Sequence, residues 1–241
     1  MSEDPTRPKL YLLDVEGTVA PLSLTTGQLF PYARKHLPQY LKENLQDPAV
    51  QADLRQLAEE NRAEESQDCP TYGVEIRNEL FARTYLMWLM DRDRKSTALK
   101  SLQGKIWKAG FESGELKGTL FDDVPEAFRR WAATGKVAIY SSGSVEAQKL
   151  LFGHTVFGDL RSLIAGYFDT RTGPKMESAS YAAIAKAMEV APGDAVFFSD
   201  VMRELDAARD AGMLTRLVTR EGNAAVDDAN GHAVVHSFDG V

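Results

Sequence analysis

Short apolar segments alternate with helical patterns along the second half of this chain, and this alternation most restricts the possible fold. The segments KVAIY, AGYFD, AVFFS and LTRLVT each stand between stretches with helical periodicity. A first apolar segment, KLYLLD, lies far upstream at residues 9–14. Strands that alternate with helices build a parallel sheet with helices on both faces. The sequence therefore predicts an α/β fold.

The stretch between the first strand and the later alternation carries helical patterns. In YGVEIRNELFARTYLMWLMDRD, for example, Ile76, Leu80, Met87 and Met90 recur at the spacing of a helix face. We predict an inserted all-helical cap domain in an otherwise α/β chain. Its predicted range is 22–114, and the predicted α/β domain comprises residues 1–21 and 115–241.

The charge and the cysteine content restrict the partners and the compartment. The chain has 28 Lys and Arg against 35 Asp and Glu, which gives a formal net charge of −7. An acidic chain is a poor general binder of nucleic acid or of an anionic membrane. The single cysteine, Cys69, cannot form an internal disulfide, which fits a reducing compartment. The N-terminal MSEDPTRP lacks an apolar signal segment. We predict a soluble, cytoplasmic monomer without a nucleic-acid or membrane partner.

Polar side chains follow four of the predicted strands. They are, in chain order, Asp14, Glu16, Ser141, Ser142, Lys175 and Asp200. In open parallel sheets, ligands bind at the carboxyl ends of the strands. We therefore expect these six residues to share one site.

These residue types suit phosphate chemistry. Carboxylates such as Asp14 and Asp200 are hard oxygen ligands for Mg²⁺. Hydroxyl groups and a helix that begins near Ser144 can bind phosphate oxygens. Taken singly, each residue is explained more simply as a turn residue, a helix cap or a solvated lysine. Their occurrence at four strand ends favours a site in which one carboxylate attacks phosphorus while another moves protons.

The motifs LLDVEGT, YSSGS, GPK and FFSDV, in that order, resemble the four motifs of the haloacid dehalogenase-like hydrolase superfamily. Longer segments, among them LQGKIWKAGFESGELKG and IYSSGSVEAQKLLFGHT, resemble the enolase-phosphatase (acireductone synthase) family nearly end to end. Most superfamily phosphatases carry Asp where this chain has Glu16, whereas the enolase-phosphatases carry Glu. The chain departs from the family pattern at Val19, Thr119 and Ser199.

The resemblance implies a Rossmann-like core with a helical cap, and a bifunctional enzyme of methionine salvage with one Mg²⁺ per chain. Such an enzyme enolises 2,3-diketo-5-methylthiopentyl-1-phosphate. It then removes the phosphate to give the acireductone 1,2-dihydroxy-3-keto-5-methylthiopentene. By motif, the implied roles are nucleophile and metal ligand for Asp14, catalysis and metal binding for Glu16, metal binding for Asp200, and substrate binding for Ser141, Ser142 and Lys175.

Two other functions stay open on the sequence alone. A related Mg²⁺-dependent phosphatase for another small phosphate ester would share the four motifs, and a non-catalytic binding protein could keep the same fold. Phosphate release that requires Mg²⁺ separates an enzyme from a binding protein, and an enol intermediate separates the two enzymes. A dehalogenase fits less well, because Glu16 and the phosphate-binding pattern suit a metal-dependent phosphatase.

Overall fold

The computed structural model describes residues 7–70, 79–226 and 228–241. The chain divides into two compact units. The α/β unit comprises Met1–Leu24 and Lys117–Val241, and the helical unit comprises Thr25–Leu116. The boundaries that we drew from the sequence for the cap domain remain a prediction.

A parallel sheet forms the centre of the α/β unit. Its strands are β1 (Leu10–Leu13), β2 (Lys136–Tyr140), β3 (Gly166–Phe168), β4 (Ala195–Ser199), β5 (Leu214–Val218) and β6 (Ala233–Val235). Among the described residues their order across the sheet is β3-β2-β1-β4-β5-β6, so β1 lies between β2 and β4 and pairs with both in parallel. The predicted α/β fold is confirmed, and the last predicted strand, β6, lies at an edge.

Helices surround this sheet and also make up the second unit. In chain order they are α1 (Phe30–Asn44), α2 (Pro48–Arg62), α3 (Glu79–Asp91), α4 (Thr97–Ser113), α5 (Val124–Ala132), α6 (Val145–Gly153), α7 (Ser178–Ala187) and α8 (Met202–Asp210). None of them, within the part of the chain that the structure describes, has the length and apolar character needed to cross a membrane.

Strand β1 is buried along its whole length because both faces of the sheet are covered. On one face, Leu12 belongs to an apolar cluster with Tyr181 of α7 and Leu205 of α8. On the other face, the ring of Tyr11 stacks on Trp131 of α5, with 4.8 Å between the ring centroids. A strand with two buried faces has a continuous apolar sequence, which explains why the chain can carry LYLL directly into the acidic residues that follow.

The helical unit has an apolar core of its own. Helices α1, α2, α3 and α4 each contribute buried residues, for example Leu37, Leu54, Tyr85 and Leu102. The described residues of this unit form helices and no strand, as the sequence predicts. Ile76, which we placed in the third helical pattern, lies outside the described residues.

Candidate active site

Asp14 follows β1 directly, and contacts fix both its backbone and its side chain. Its backbone N–H donates a hydrogen bond to the carbonyl oxygen of Phe198 on β4 (3.0 Å). Its side chain is buried, with the residue 7% exposed. A buried carboxylate needs a partner of opposite charge, and Lys175 Nζ lies 2.6 Å from Asp14 Oδ1. The sheet therefore positions Asp14, and Lys175 compensates its charge.

Lys175 also binds a second carboxylate, that of Glu204 on α8, a residue that we did not predict from the sequence. Lys175 Nζ lies 2.6 Å from Glu204 Oε2, and the hydroxyl group of Ser199 donates to the same oxygen (3.0 Å). Burial alone would lower the pKa of Lys175, but Asp14 and Glu204 together raise it, so the ammonium group stays charged. The backbone carbonyl of Lys175 accepts a hydrogen bond from the Tyr181 hydroxyl group (2.7 Å), which holds the segment between β3 and α7 in place.

One feature of the sequence could have indicated Glu204, namely its spacing of four residues from Asp200. Asp200 lies just before α8 and Glu204 lies in its first turn, so the two side chains can be near each other. Burial, followed by the charge of Asp14, raises the pKa of Glu204. Ser199, one of the departures from the family pattern, supplies the hydroxyl group that binds Glu204.

Asp200 carries a carboxylate whose surroundings favour an added cation. Its Oδ1 atom is buried and has no hydrogen-bond partner among the described residues. Burial and then the charge of Asp14, with a smaller contribution from Glu16, raise the pKa of Asp200 to about 6. A cation beside Asp14 and Asp200 would offset both effects.

The turn after Asp14 brings its backbone against Asp200. Gly17 has a φ of +73°, and a Cβ atom at this position would lie 2.3 Å from Asp200 Oδ2. Only glycine allows both this conformation and this close approach. Glu16, immediately before Gly17, is half-buried, and its charge reaches Asp200.

Ser141 and Ser142 follow β2, at the same carboxyl ends of the strands as Asp14 and Asp200. Ser141 N donates to the carbonyl oxygen of Phe168 on β3 (3.1 Å), and Ser142 is exposed. The helix predicted to begin near Ser144 is α6, and Ser144 caps it, since its hydroxyl group accepts from Ala147 N (3.2 Å). In the described part of the chain, no hydrogen bond or ion pair joins the two serines to the group around Lys175. Their hydroxyl groups and the N-terminus of α6 offer donors for an anion.

The donor set fits Mg²⁺ better than a metal held by protein side chains alone. Across residues 7–70, 79–226 and 228–241, no group of three or more His, Cys, Asp and Glu side chains is arranged to hold a metal. Mg²⁺ is commonly bound through one or two carboxylates, with water and substrate phosphate completing its coordination. Asp14 and Asp200 match that pattern, and the buried Oδ1 of Asp200 has no hydrogen-bond partner among the described residues, which leaves it available to a cation.

Comparisons with known proteins agree with this geometry. Residues 8–212 match the haloacid dehalogenase-like hydrolase family. The enolase-phosphatase E1 of Synechococcus elongatus is 51% identical over 229 residues, which cover 95% of each chain. The enolase-phosphatase E1 of Thioalkalivibrio sulfidiphilus is 43% identical over 237 residues, 97% of this chain and 98% of the relative. This chain belongs to the enolase-phosphatase family.

The fold of this enolase-phosphatase family member also matches a solved structure. The UTR4 protein of Saccharomyces cerevisiae superposes with a TM-score of 0.82 at 36% identity, covering 98% of this chain and all of that one (100%). The family that we inferred from the motifs is thereby confirmed, together with the haloacid dehalogenase-like fold class and the class of enzyme, a hydrolase.

Proposed function

We propose that this chain is a bifunctional enolase-phosphatase of methionine salvage. It enolises 2,3-diketo-5-methylthiopentyl-1-phosphate and then removes the phosphate to give the acireductone. The observation that carries the proposal is the charge arrangement at the ends of β1 and β4. There Lys175 bridges Asp14 and Glu204 at 2.6 Å each, beside the buried, unpartnered oxygen of Asp200.

One Mg²⁺ is the cofactor that we propose for this site. Asp14 and Asp200 would bind it through their side chains, and Glu16 would bind it through its backbone carbonyl. When bound, Mg²⁺ stabilises the negative charge that develops on the substrate carbonyl oxygen and on the phosphoryl group. The raised pKa of Asp200 supports this choice, because a carboxylate short of positive charge gains most from a cation.

Enolisation requires a base beside the phosphate-bearing carbon. We assign this role to Glu16, whose side chain is one methylene longer than aspartate. Its carboxylate removes a proton from C1, and the electron pair of that C–H bond forms the C1–C2 double bond. The π electrons of the C2 carbonyl move to its oxygen, which takes up a proton from water to give the enol, while Glu16 keeps the proton from C1. Removal of a proton by a positioned carboxylate contributes on the order of 10²–10⁴-fold to such a rate.

Phosphoryl transfer follows at Asp14. A carboxylate oxygen of Asp14 attacks phosphorus, the bond from phosphorus to the C1 oxygen breaks, and that oxygen leaves with a proton from Glu16. Water then attacks the aspartyl-phosphate, which releases inorganic phosphate and regenerates Asp14. Two like charges about 4 Å apart repel by about 4 kcal/mol at an effective dielectric constant near 20. Lys175 offsets this repulsion between the nucleophile and the phosphate.

The remaining assignments concern binding. We propose that Ser141, Ser142 and the N-terminus of α6 bind the phosphate oxygens. The predicted cap, residues 22–114, contributes to substrate selection. The protein acts as a monomer in the cytoplasm. Sedimentation or size-exclusion measurements check the oligomeric state.

The proposal is tested by supplying the diketone phosphate to the full chain with Mg²⁺. Absorbance of the enol should rise first, and inorganic phosphate should appear afterwards. EDTA should abolish both signals, and added Mg²⁺ should restore them. Phosphate release without an enol would favour a phosphatase for another small ester. Absence of Mg²⁺-dependent phosphate release from this substrate and from generic esters would contradict an enzymatic role.

A further inference from the structure

The segment that follows β5 binds the backbone of the turn after Asp14. Asn223 Nδ2 donates to the carbonyl oxygen of Gly17 (2.9 Å) and to that of Val218 (3.3 Å). Arg220 Nε donates to the carbonyl oxygen of Thr18 (3.2 Å). We call Arg220 and Asn223 the clamp. The sequence around them, REGN, carries no motif that indicates such a contact.

Arg220 is itself held rigidly. Its guanidinium carbon lies 4.6 Å from the ring centroid of Phe121 and 4.5 Å from that of Phe238. Its Nη1 atom lies 2.8 Å from Asp123 Oδ2, and its side chain is 6% exposed. Burial alone would raise the pKa of Asp123, but hydrogen bonds from Arg220 and from Phe238 N lower it, so the carboxylate stays ionised. A planar cation between two rings and a carboxylate has little freedom to move.

The turn that the clamp binds has further contacts on both sides. Gly17 N donates to the carbonyl oxygen of Ala20 (2.8 Å), and the carbonyl oxygen of Val19 accepts from Phe121 N (3.0 Å). The Cα atom of Gly17 packs so closely on Asp200 that no side chain would fit between them. A shift of the Gly17 carbonyl group therefore changes the spacing between the turn and the Asp200 carboxylate.

We propose that Asn223 and Arg220 are positioning residues that set the spacing between the backbone at Glu16 and Gly17 and the carboxylate of Asp200. Through that spacing they set the affinity of the site for Mg²⁺ and the rate of phosphate release. Both residues act through the turn. The inference rests on the proposed function, because it concerns the same Mg²⁺ site and the same reaction.

The test compares two substitutions at one position with a matched control. Asn223→Ala removes the side chain, and Asn223→Asp keeps its shape but replaces the donor with an oxygen. Substitution of residues that orient metal ligands costs on the order of 10–100-fold in metal affinity or activity. We expect both variants to raise the Kd for Mg²⁺, measured by titration calorimetry on EDTA-treated protein, and to lower kcat, each by about 10-fold or more. The KM for substrate should change by less than about threefold.

Arg216→Met is the control, since Arg216 lies on β5 and donates to the carbonyl oxygen of Thr215 (2.9 Å), not to the turn. It should keep the Mg²⁺ affinity and kcat of the wild type. Arg220→Lys is a second variant of the clamp. It keeps the charge beside Asp123, loses the Nε donor to Thr18, and should show the same losses as the Asn223 variants.

Two outcomes would overturn the proposal that the clamp positions the turn. One is wild-type Mg²⁺ affinity and kcat in both Asn223 variants, measured below their melting temperatures. The other is an equal loss in Arg216→Met, which would indicate general destabilisation. A wild-type protein that binds Mg²⁺ but releases no phosphate would contradict the proposed function, and the calorimetric comparison would still decide the role of the clamp.

Discussion

The two units of the chain differ in whether they bury a paired lysine or arginine side chain. In the helical unit, the described pairs made by Arg34, Arg92, Arg94 and Lys105 leave the cationic side chain between 28% and 48% exposed. The α/β unit has exposed pairs as well, such as Lys9 with Asp194, but it also contains two buried cations. Lys175 is 11% exposed and Arg220 is 6% exposed, and each binds a buried carboxylate. Burying an ion pair commonly costs as much free energy as the pairing returns. The buried pairs of the α/β unit are therefore better explained by chemistry than by stability.

This difference implies that substitutions in the two units should have separable effects. The helical unit relies on apolar packing, with Leu37, Leu54 and Leu102 in one buried cluster. Truncation there should reduce the free energy of unfolding and leave the reaction largely intact. Removal of a charge at the ends of β1 and β4 should stop the reaction with little effect on stability.

The largest effect is expected for Asp14→Asn. Loss of the proposed nucleophile should reduce the rate of phosphate release by on the order of 10⁴-fold or more. The free energy of unfolding should change by less than about 1 kcal/mol, because Lys175 keeps Glu204 as its partner. Phosphate assays and urea denaturation measure the two effects.

Asp194→Asn is the matched control for this substitution. Asp194 precedes β4, at the opposite end of the strands, and pairs with exposed Lys9 (3.0 Å). It should leave the rate unchanged. If Asp14→Asn kept a rate close to that of the wild type, the assignment of the nucleophile would be wrong.

Leu102→Ala should have the opposite profile. Leu102 is fully buried in the helical unit, and truncation of such a residue costs about 2–5 kcal/mol of stability. Below the melting temperature, hydrolysis of a small ester such as p-nitrophenyl phosphate should fall by less than about threefold. Leu80→Ala, at a position that is 57% exposed, should change neither quantity. A large loss of rate in Leu102→Ala without a loss of stability would contradict the expectation that the helical unit affects stability and not the reaction.

How much of this site could be predicted depends on the range of the interactions. Asp14 and Asp200 were predictable because β1 and β4 are neighbours, and the carboxyl ends of parallel strands share an edge of the sheet. Lys175 followed from its position after a strand and from the family motif. These inferences need only strand order and direction.

Glu204 and Asn223 could not be found in this way. Glu204 lies in a helix with an ordinary amphipathic pattern, and its importance depends on a lysine that reaches it from a distant loop. Asn223 lies in a polar segment without periodicity and binds a backbone carbonyl far away in the sequence. A side chain that binds backbone far away along the chain leaves no pattern in the sequence, because any residue could supply the acceptor.

Glu204→Gln should have an intermediate effect. With Glu204 neutral, Lys175 Nζ has Asp14 as its remaining charged partner in the described structure, so it should bind the nucleophile more tightly and support attack less well. We expect kcat to fall by about 10–100-fold with a smaller change in KM. Glu204→Asp should recover part of the rate, and Glu177→Gln, on the exposed approach to α7, should have no effect. A wild-type kcat in Glu204→Gln would show that Glu204 serves stability alone.

The smallest effects should come from two glycines, one in each unit, and they should differ in sign. Gly104 lies inside α4, where an added Cβ would meet no atom within 4 Å apart from its chain neighbours and the backbone of its own helix, so Gly104→Ala should stabilise the protein by about 0.5–1 kcal/mol. Gly17→Ala should destabilise it by about 1–3 kcal/mol through backbone strain. It should also weaken Mg²⁺ binding, because the new methyl group displaces Asp200. Urea midpoints and calorimetric titration measure both. If Gly17→Ala kept the wild-type Mg²⁺ affinity, the close packing of the turn on Asp200 would not control the metal site.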